Sequence, residues 1–284
     1  MESLEIAPAK PFLKWAGGKW TLASQILPLL PSVVGRTYRE PFLGGGAIYF
    51  QLRGKTPPAR ARLSDAQGDL IGSYEVVRDD PEALIEQLET LGKAHSKRFF
   101  YEVRKRFNST EGDPFERAAW LIYLNKTCFN GLFRTNKSGE FNVPYGRFDK
   151  PRIIDAPRIR AASTALRGAI IRKSPYDEAL EDAEKGDVIY LDPPYVPLSK
   201  TSSFAAYSLQ FGPDEQARLA ARFRELDKRG CQLALSNSDT QEVRELYAGY
   251  DITQIDAARS IGSRGHTRGR VTEVLVRNVK KYRG

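Results

Sequence analysis

The 284-residue sequence predicts an α/β fold, an open doubly wound sheet that carries a basic insertion of helices and a hairpin. Three features support that expectation. Tyr38 to Phe50, YREPFLGGGAIYF, reads as a short strand, a glycine turn and a helix start, the arrangement that opens a nucleotide site. Val188-Ile189-Tyr190-Leu191 follows the charged turn Glu184 to Asp187 and is stopped by Pro193 and Pro194, the pattern of a strand buried on both faces. Between the two, charge is concentrated: Lys93 to Lys173 holds 18 Lys or Arg against 7 Asp or Glu, and the remainder 26 against 28. A balanced protein with one strongly basic segment points to a polyanion, and nucleic acid leads that class.

Taken in order, Pro11 to Trp20 reads PFLKWAGGKW. It is not a phosphate-binding P-loop, because Leu13 stands where that motif needs its first glycine and Trp20 where it needs Ser or Thr. The Gly-Gly pair opens a helix from about Thr21 to Leu30 and allows backbone to approach a ligand closely. The turn Gly44-Gly45-Gly46 is not the dinucleotide fingerprint either, since Tyr49 replaces its last glycine. Ala61 to Asp65 reads as a second strand ending in a carboxylate. Asp65 lies 21 residues past Gly44, about the spacing that places an acid on ribose hydroxyls.

From about Asp69 to Trp120 the pattern is helical, with breaks near Asp79-Asp80-Pro81 and Gly112-Asp113-Pro114. Tyr123 to Phe148, YLNKTCFNGLFRTNKSGEFNVPYGRF, alternates Lys126, Arg134, Lys137 and Arg147 with Phe129, Phe133, Phe141, Tyr145 and Phe148. Asn136 to Gly139 has hairpin-turn composition, and Lys137 within it suits a phosphate. Exposed aromatics between cations suit bases and backbone charge.

After Leu191, Asp192 and the Pro193 carbonyl are hydrogen-bond acceptors, and Tyr195 supplies a ring for a flat base to stack on. Together they suit an exocyclic amine on a planar ring. No cation stands beside Asp192 in sequence to make it an ordinary ion pair. A polar loop follows at Ser199 to Ser203, then a helix from about Pro213 to Lys228 and a strand from Cys231 to Leu235 ending in Ser236-Asn237-Ser238-Asp239. A short helix, Gln241 to Tyr247, precedes closing strands at Tyr250 to Ile255 and Val271 to Val279. The link Ala257 to Arg270 has four arginines, three glycines and no acid, so it is expected to contact phosphates.

No apolar run reaches membrane-spanning length; the longest candidate is Ala118 to Leu124. Cys128, Cys231 and only two histidines form no ligand spacing, so no metal is expected. Met1 to Lys10 shows no signal pattern. A reduced, cytoplasmic protein with no membrane partner is expected.

Together, FLKWAGGK, EPFLGGGA, SDAQGDLI, YLNKTCFNGLFR, GEFNVPYGR, VIYLDPPYVPLS, LSNSD and ARSIGSRGHTRGRVTEVL resemble the Dam-type, α-class DNA adenine-N6 methyltransferases, from about Pro11 to Val279. The resemblance implies a Rossmann-like, S-adenosylmethionine-dependent sheet over residues 1–67 and 159–284, with a target-recognition insert at 68–158. It implies that Trp15, Lys19, Phe42, Gly44, Gly45, Gly46, Asp65 and Asp192 line the cofactor pocket. Lys14, Phe129, Asn130, Leu132, Arg134, Pro144 and Phe148 match its DNA-reading positions, with Lys137 and Arg147 as further basic contacts. Phe129 and Phe148 stand where the family often has tyrosine, which keeps stacking and removes a hydroxyl contact.

The implied reaction is methylation of a flipped adenine by Asp192, Pro193, Pro194 and Tyr195, usually within GATC, with GATATC read by some relatives. No Pro-Cys nucleophile is present, which disfavours C5-cytosine chemistry. Another planar amine, such as cytosine N4, an RNA adenine or a protein amide, is one rival substrate; a non-catalytic DNA binder is another. The partner is double-stranded DNA, a monomer is favoured, and a cognate restriction endonuclease is possible.

Overall fold

The computed structural model describes residues 9–109, 111–148, 150–196, 211–257 and 271–279. The loop expected at Ser199 to Ser203 and most of the arginine-glycine link, 258–270, lie outside them. Seven strands form one sheet: β1 Thr37–Glu40, β2 Arg60–Asp65, β3 Ile170–Lys173, β4 Val188–Leu191, β5 Gln232–Ser238, β6 Asp251–Ala257 and β7 Val271–Arg277. Their order is β3-β2-β1-β4-β5-β7-β6. The first five are parallel, and β7 runs antiparallel to both β5 and β6. The chain winds outward from β1 to β3, then restarts at β4 on the other side of β1. The carboxyl ends of β1 and β4 therefore flank the topological switch point, where open α/β sheets bind ligands.

Burial alternates along β4. Val188 and Tyr190 belong to one apolar cluster, and Ile189 and Leu191 to the other, with all four almost without exposure. That is the two-faced burial its sequence requires. Helices α2 Ala47–Lys55, α3 Gly68–Asp79, α4 Pro81–Lys93, α5 Lys97–Asn108, α6 Pro114–Thr127 and α7 Ala156–Leu166 pack into the first cluster. The short α8 Tyr176–Ala179, α9 Pro213–Arg229 and α10 Gln241–Leu246 pack into the second.

The apolar run Ala118 to Leu124 is buried throughout within α6. A capping box starts that helix: Asp113 accepts from the Glu116 amide at 2.8 Å, and the Glu116 carboxylate accepts from the Asp113 amide at 3.2 Å. The helix expected over Thr21 to Leu30 is shorter, α1 Ala23–Ile26 continuing as a 3₁₀ turn at Leu27–Leu29, because Pro28 has no amide to donate. An unexpected break separates α4 from α5 at His95-Ser96, where the Ser96 hydroxyl caps α5 by accepting from Phe99. Nothing in the sequence pattern marked α7 or β3.

The hairpin closes through isolated bridges at Thr135–Phe141 and Cys128–Tyr145 rather than a continuous ladder. Asn136 organises its turn, its side-chain oxygen accepting from the Ser138 and Glu140 amides at 3.0 Å each. Among the described residues, no helix is long and apolar enough to cross a membrane.

Candidate active site

Beyond β4 the chain leaves the sheet at Asp192. Its Oδ1 is buried, makes no aligned hydrogen bond among the described residues, and lies 3.0 Å from Lys19 Nζ. The expectation of an unpaired Asp192 is thus corrected: the fold brings a cation from the N-terminal loop, although none is adjacent in sequence. Lys19 is 4% exposed, donates to the Gly17 carbonyl at 2.5 Å, and sits 4.6 Å from the centroid of the Tyr195 ring. The Tyr195 hydroxyl donates to Glu273 of β7 at 2.8 Å.

Burial pushes the Asp192 carboxyl up to about 6; the Lys19 ammonium opposes that shift and the Glu273 carboxylate adds to it. Glu40, the last residue of β1, is pushed up to about 8, again mainly by burial. The Tyr38 hydroxyl, donating to Glu40 at 2.8 Å, opposes the rise, and the charge of Asp192 reinforces it. At neutral pH Glu40 is therefore mostly an uncharged acid, whereas Asp192 is mostly a carboxylate facing Lys19.

Across the switch point, the glycine turn is as tight as its sequence suggests. Gly44 and Gly46 have φ of +48° and +66°. A Cβ on Gly44 would lie 3.0 Å from Trp15 Cδ1, and one on Gly46 2.8 Å from the Tyr74 hydroxyl. Asp65 braces the turn, its two oxygens accepting from the Gly44 and Gln67 amides at 3.0 Å each. Phe42 stacks on Tyr176 with centroids 5.2 Å apart and meets the edge of Phe211 at 5.7 Å.

The sequence-predicted DNA-reading residues fall into three places. Phe129, Pro144, Arg147 and Phe148 line one groove of about 590 Å³ together with Lys97 and Tyr101 of α5 and with Tyr145. Phe129 is 50% exposed and Phe148 39%, unusual for phenylalanine. Lys14, Asn130 and Leu132 form a second group around a left-handed turn. Asn130 has φ of +56°, and Gly131 packs so closely on Lys14 that a Cβ there would lie 2.6 Å from Lys14 Cδ. The buried Asn125 ties this group together, accepting from the Lys14 amide at 3.0 Å and donating to the Lys14 and Gly131 carbonyls at 2.9 and 3.0 Å.

Arg134 and Lys137 stand apart on the hairpin. Arg134 is held by Asn142, to which its Nε donates at 2.8 Å, and Lys137 is exposed in the turn. Trp15 joins the two halves of the site, packing on Gly44 at one side and stacking on Phe133 of the hairpin at 4.9 Å.

Sequence reasoning missed Glu40, Glu273, Tyr176, Lys97 and Tyr101. Glu40 stands inside the quoted EPFLGGGA, and only its burial marks it out. The other four meet the site through tertiary contacts that no local spacing encodes. Among the described residues, no group of three or more His, Cys, Asp or Glu is placed to hold a metal.

Comparison with known proteins agrees with this geometry. Residues 15–261 match the family described as D12 class N6 adenine-specific DNA methyltransferase. The chain is 42% identical over 285 residues to the type II methyltransferase M.MjaIII of Methanocaldococcus jannaschii, covering 95% of this chain and 99% of that protein. It is 38% identical over 275 residues to the type II methyltransferase M1.LlaDCHI of Lactococcus lactis subsp. cremoris, covering 95% of each. It is 36% identical over 269 residues to the DNA adenine methylase of Escherichia coli K12, covering 94% of each. The buried strand ending in Asp-Pro-Pro-Tyr, the glycine turn opposite it and this agreement along nearly the whole length lead to one assignment: the chain belongs to the D12 class of N6 adenine-specific DNA methyltransferases.

Proposed function

We propose that this adenine-specific DNA methyltransferase uses S-adenosylmethionine to methylate N6 of an adenine flipped out of duplex DNA, with GATC as its target. One observation carries the reading: a largely buried acceptor, Asp192, stands beside the Tyr195 ring at the carboxyl end of β4, opposite a glycine turn. An exocyclic amine that donates to Asp192 and the Pro193 carbonyl gains electron density on nitrogen, and Tyr195 offers the flipped ring a stacking face. Pro194 keeps this segment out of the ladder.

The residues fit the cofactor. The turn at Gly44 to Gly46 has no Cβ to block a close approach, Phe42 and Tyr176 offer aromatic faces for an adenine, and Asp65 stands at the carboxyl end of β2, where such folds place an acid on ribose hydroxyls. Trp15, Lys19 and Asp192 complete the wall. Bound there, S-adenosylmethionine would supply an electrophilic methyl group on a sulfonium. Lys19 meanwhile faces Oδ1 of the Asp192 carboxylate and lies over the Tyr195 ring, so the target amine shares this carboxylate with its ammonium.

Residues 68–158 act in this reading as the target-recognition insert, and 1–67 with 159–284 as the catalytic unit. Phe129 and Phe148 stack or wedge, while Lys14, Asn130, Leu132, Arg134, Lys137, Pro144 and Arg147 contact bases and phosphates. The enzyme works in the cytoplasm as a monomer on double-stranded DNA, and the names of its type II relatives suggest a restriction endonuclease acting on the same site.

Transfer of labelled methyl groups to a GATC duplex, set against single-base variants of it, tests the reading; equal labelling of all duplexes would end the GATC assignment. S-adenosylmethionine is also expected to raise the Tm of the DNA-free protein. At about 100-fold over its Kd, binding the native state alone adds about 2.7 kcal/mol. Asp65→Ala lowers the starting Tm, because it unbraces Gly44, and also shrinks the shift. Stabilisation by ATP or a nicotinamide nucleotide, with none by S-adenosylmethionine, would mean the pocket is misassigned.

Arg134 and Lys137 are expected to differ in kind. The two terminal amino groups of Arg134 make no hydrogen bond among the described residues, so they are available to the paired acceptors of a guanine. Arg134→Ala should narrow the gap between GATC and a duplex altered at a guanine by about 1–3 kcal/mol. Lys137→Ala should weaken all duplexes together and flatten the salt dependence by about one unit of slope. Uniform losses in both variants would show that the hairpin grips phosphate and that the reader lies elsewhere.

A further inference from the structure

The segment carrying Tyr195 leaves the sheet after one strand and has no ladder partner, yet its backbone is tied on both sides of the tyrosine. Gln216, in the first turn of α9, donates through Nε2 to the Pro194 carbonyl at 2.8 Å. Asn237, near the end of β5, accepts through Oδ1 from the Val196 amide at 3.2 Å and from the Ser238 amide at 2.8 Å. The Ser238 hydroxyl donates to the Val196 carbonyl at 2.8 Å. The two amide side chains are joined, Asn237 Nδ2 donating to Gln216 Oε1 at 3.1 Å. Gln216, Asn237 and Ser238 are 1%, 0% and 4% exposed, so every bond has at least one partner shielded from water.

The network has a direction. Asn237 Oδ1 faces two backbone donors, which forces its Nδ2 toward Gln216. That in turn forces Gln216 to present Oε1 to Asn237 and Nε2 to Pro194. The Pro194 carbonyl and both polar groups of Val196 thus meet the one complementary partner each accepts, and the 194–196 backbone is held in a single pose. From outside that backbone, Glu273 fixes the tyrosine ring by its hydroxyl.

We propose that Gln216, with Asn237 and Ser238, is a positioning residue for methyl transfer: it sets where the Pro193 carbonyl and the Tyr195 ring stand, without touching the base. This rests on the reading of Asp192 to Tyr195 as the base-binding segment. It explains why a polar, buried Asn-Ser pair ends a strand whose middle, Leu233 to Leu235, is apolar, and why a helix turn whose other residues, Pro213 to Glu215, are not buried nevertheless buries a glutamine. Displacement of a reacting group by about an ångström costs roughly 100-fold in rate.

Gln216→Met keeps length and packing but removes both hydrogen bonds, and Gln216→Glu keeps an acceptor and loses the donor to Pro194. Three quantities decide the matter at a temperature where every variant is folded: the single-turnover rate of methyl transfer with saturating GATC duplex, the Kd for S-adenosylmethionine, and hydrogen exchange at the Val196 amide. Both variants are expected to lose roughly 10- to 100-fold in rate, to keep the cofactor Kd within about twofold, and to exchange Val196 faster. Rates that merely follow Tm across these and an unrelated destabilised variant, or a Val196 amide as protected as in the wild type, overturn the proposal. Should the wild type methylate no duplex, the reading of the reaction fails on its own; the exchange measurement then still decides whether Gln216 holds the segment.

Discussion

Replacing Asp192 with alanine is expected to reduce methylation by on the order of 100- to 1000-fold, the usual loss when one oriented electrostatic partner is removed from a reacting centre. The loss belongs to the rate of transfer, since the Pro193 carbonyl and the Tyr195 ring still hold the base. The ion pair adds a second consequence. Without Asp192, the buried Lys19 ammonium keeps the Gly17 carbonyl at 2.5 Å and the face of the Tyr195 ring but no counter-charge among the described residues, and an uncompensated buried charge destabilises a fold. Asp192→Asn is therefore the cleaner companion, because it keeps an acceptor oxygen and the shape of the side chain. Single-turnover rates, with circular dichroism and thermal melting on both variants, separate chemistry from folding. Near-normal transfer by a folded Asp192→Ala protein would remove this residue from the reaction.

The second large effect is on pH. Because the Asp192 carboxylate draws the amine protons more strongly than the neutral acid does, and its pKa is near 6, kcat/KM is expected to fall below about pH 6. Lys19 holds that value down, so Lys19→Met should move the acidic limb to higher pH. An unmoved limb would mean that another group titrates there.

Stability carries the same signature with the opposite sign. Asp192 and Glu40 have folded values near 6 and 8, above the unfolded carboxyl range, so the native state holds protons that the unfolded chain has already released. Their contribution is thus most favourable at low pH. It declines as pH rises from about 4 to 6 for Asp192 and from about 4.5 to 8 for Glu40. Glu40→Gln should flatten the decline up to pH 8, by an amount on the order of a few kcal/mol, read from urea unfolding at several pH values. A wild-type and a Glu40→Gln curve that run parallel would show that Glu40 titrates alike in the folded and unfolded chains.

The sheet was legible wherever its signal is local. Val188 to Leu191 is uniformly apolar because a central parallel strand is buried on both faces, and the prolines that follow cannot donate to a ladder. Gly44 and Gly46 had to be glycine for the turn they make. α6 was visible in part, as the longest apolar run after the break at Gly112-Asp113-Pro114, but it continues past the expected end at Trp120 to Thr127, and its capping box emerged only in the structure. By contrast, α7 and β3 were silent: β3 is an edge strand with three of its four residues exposed, so no alternation or apolar run sets it apart.

The site divides along the same line. Asp192, Pro193 and Tyr195 could be read from sequence because one short stretch carries the acceptors, the strand end and the ring together. Its charge state could not. Lys19 comes from the N-terminal loop, Glu40 from the end of β1 and Glu273 from an antiparallel strand, and only their convergence in a largely desolvated space decides which carboxyl keeps its proton. Gln216 and Asn237 are polar residues like many others until the fold buries them against Pro194 and Val196. Residue type and local spacing determine which groups can do the chemistry; desolvation and distance, which belong to the tertiary structure, decide which of them are charged and where they are held.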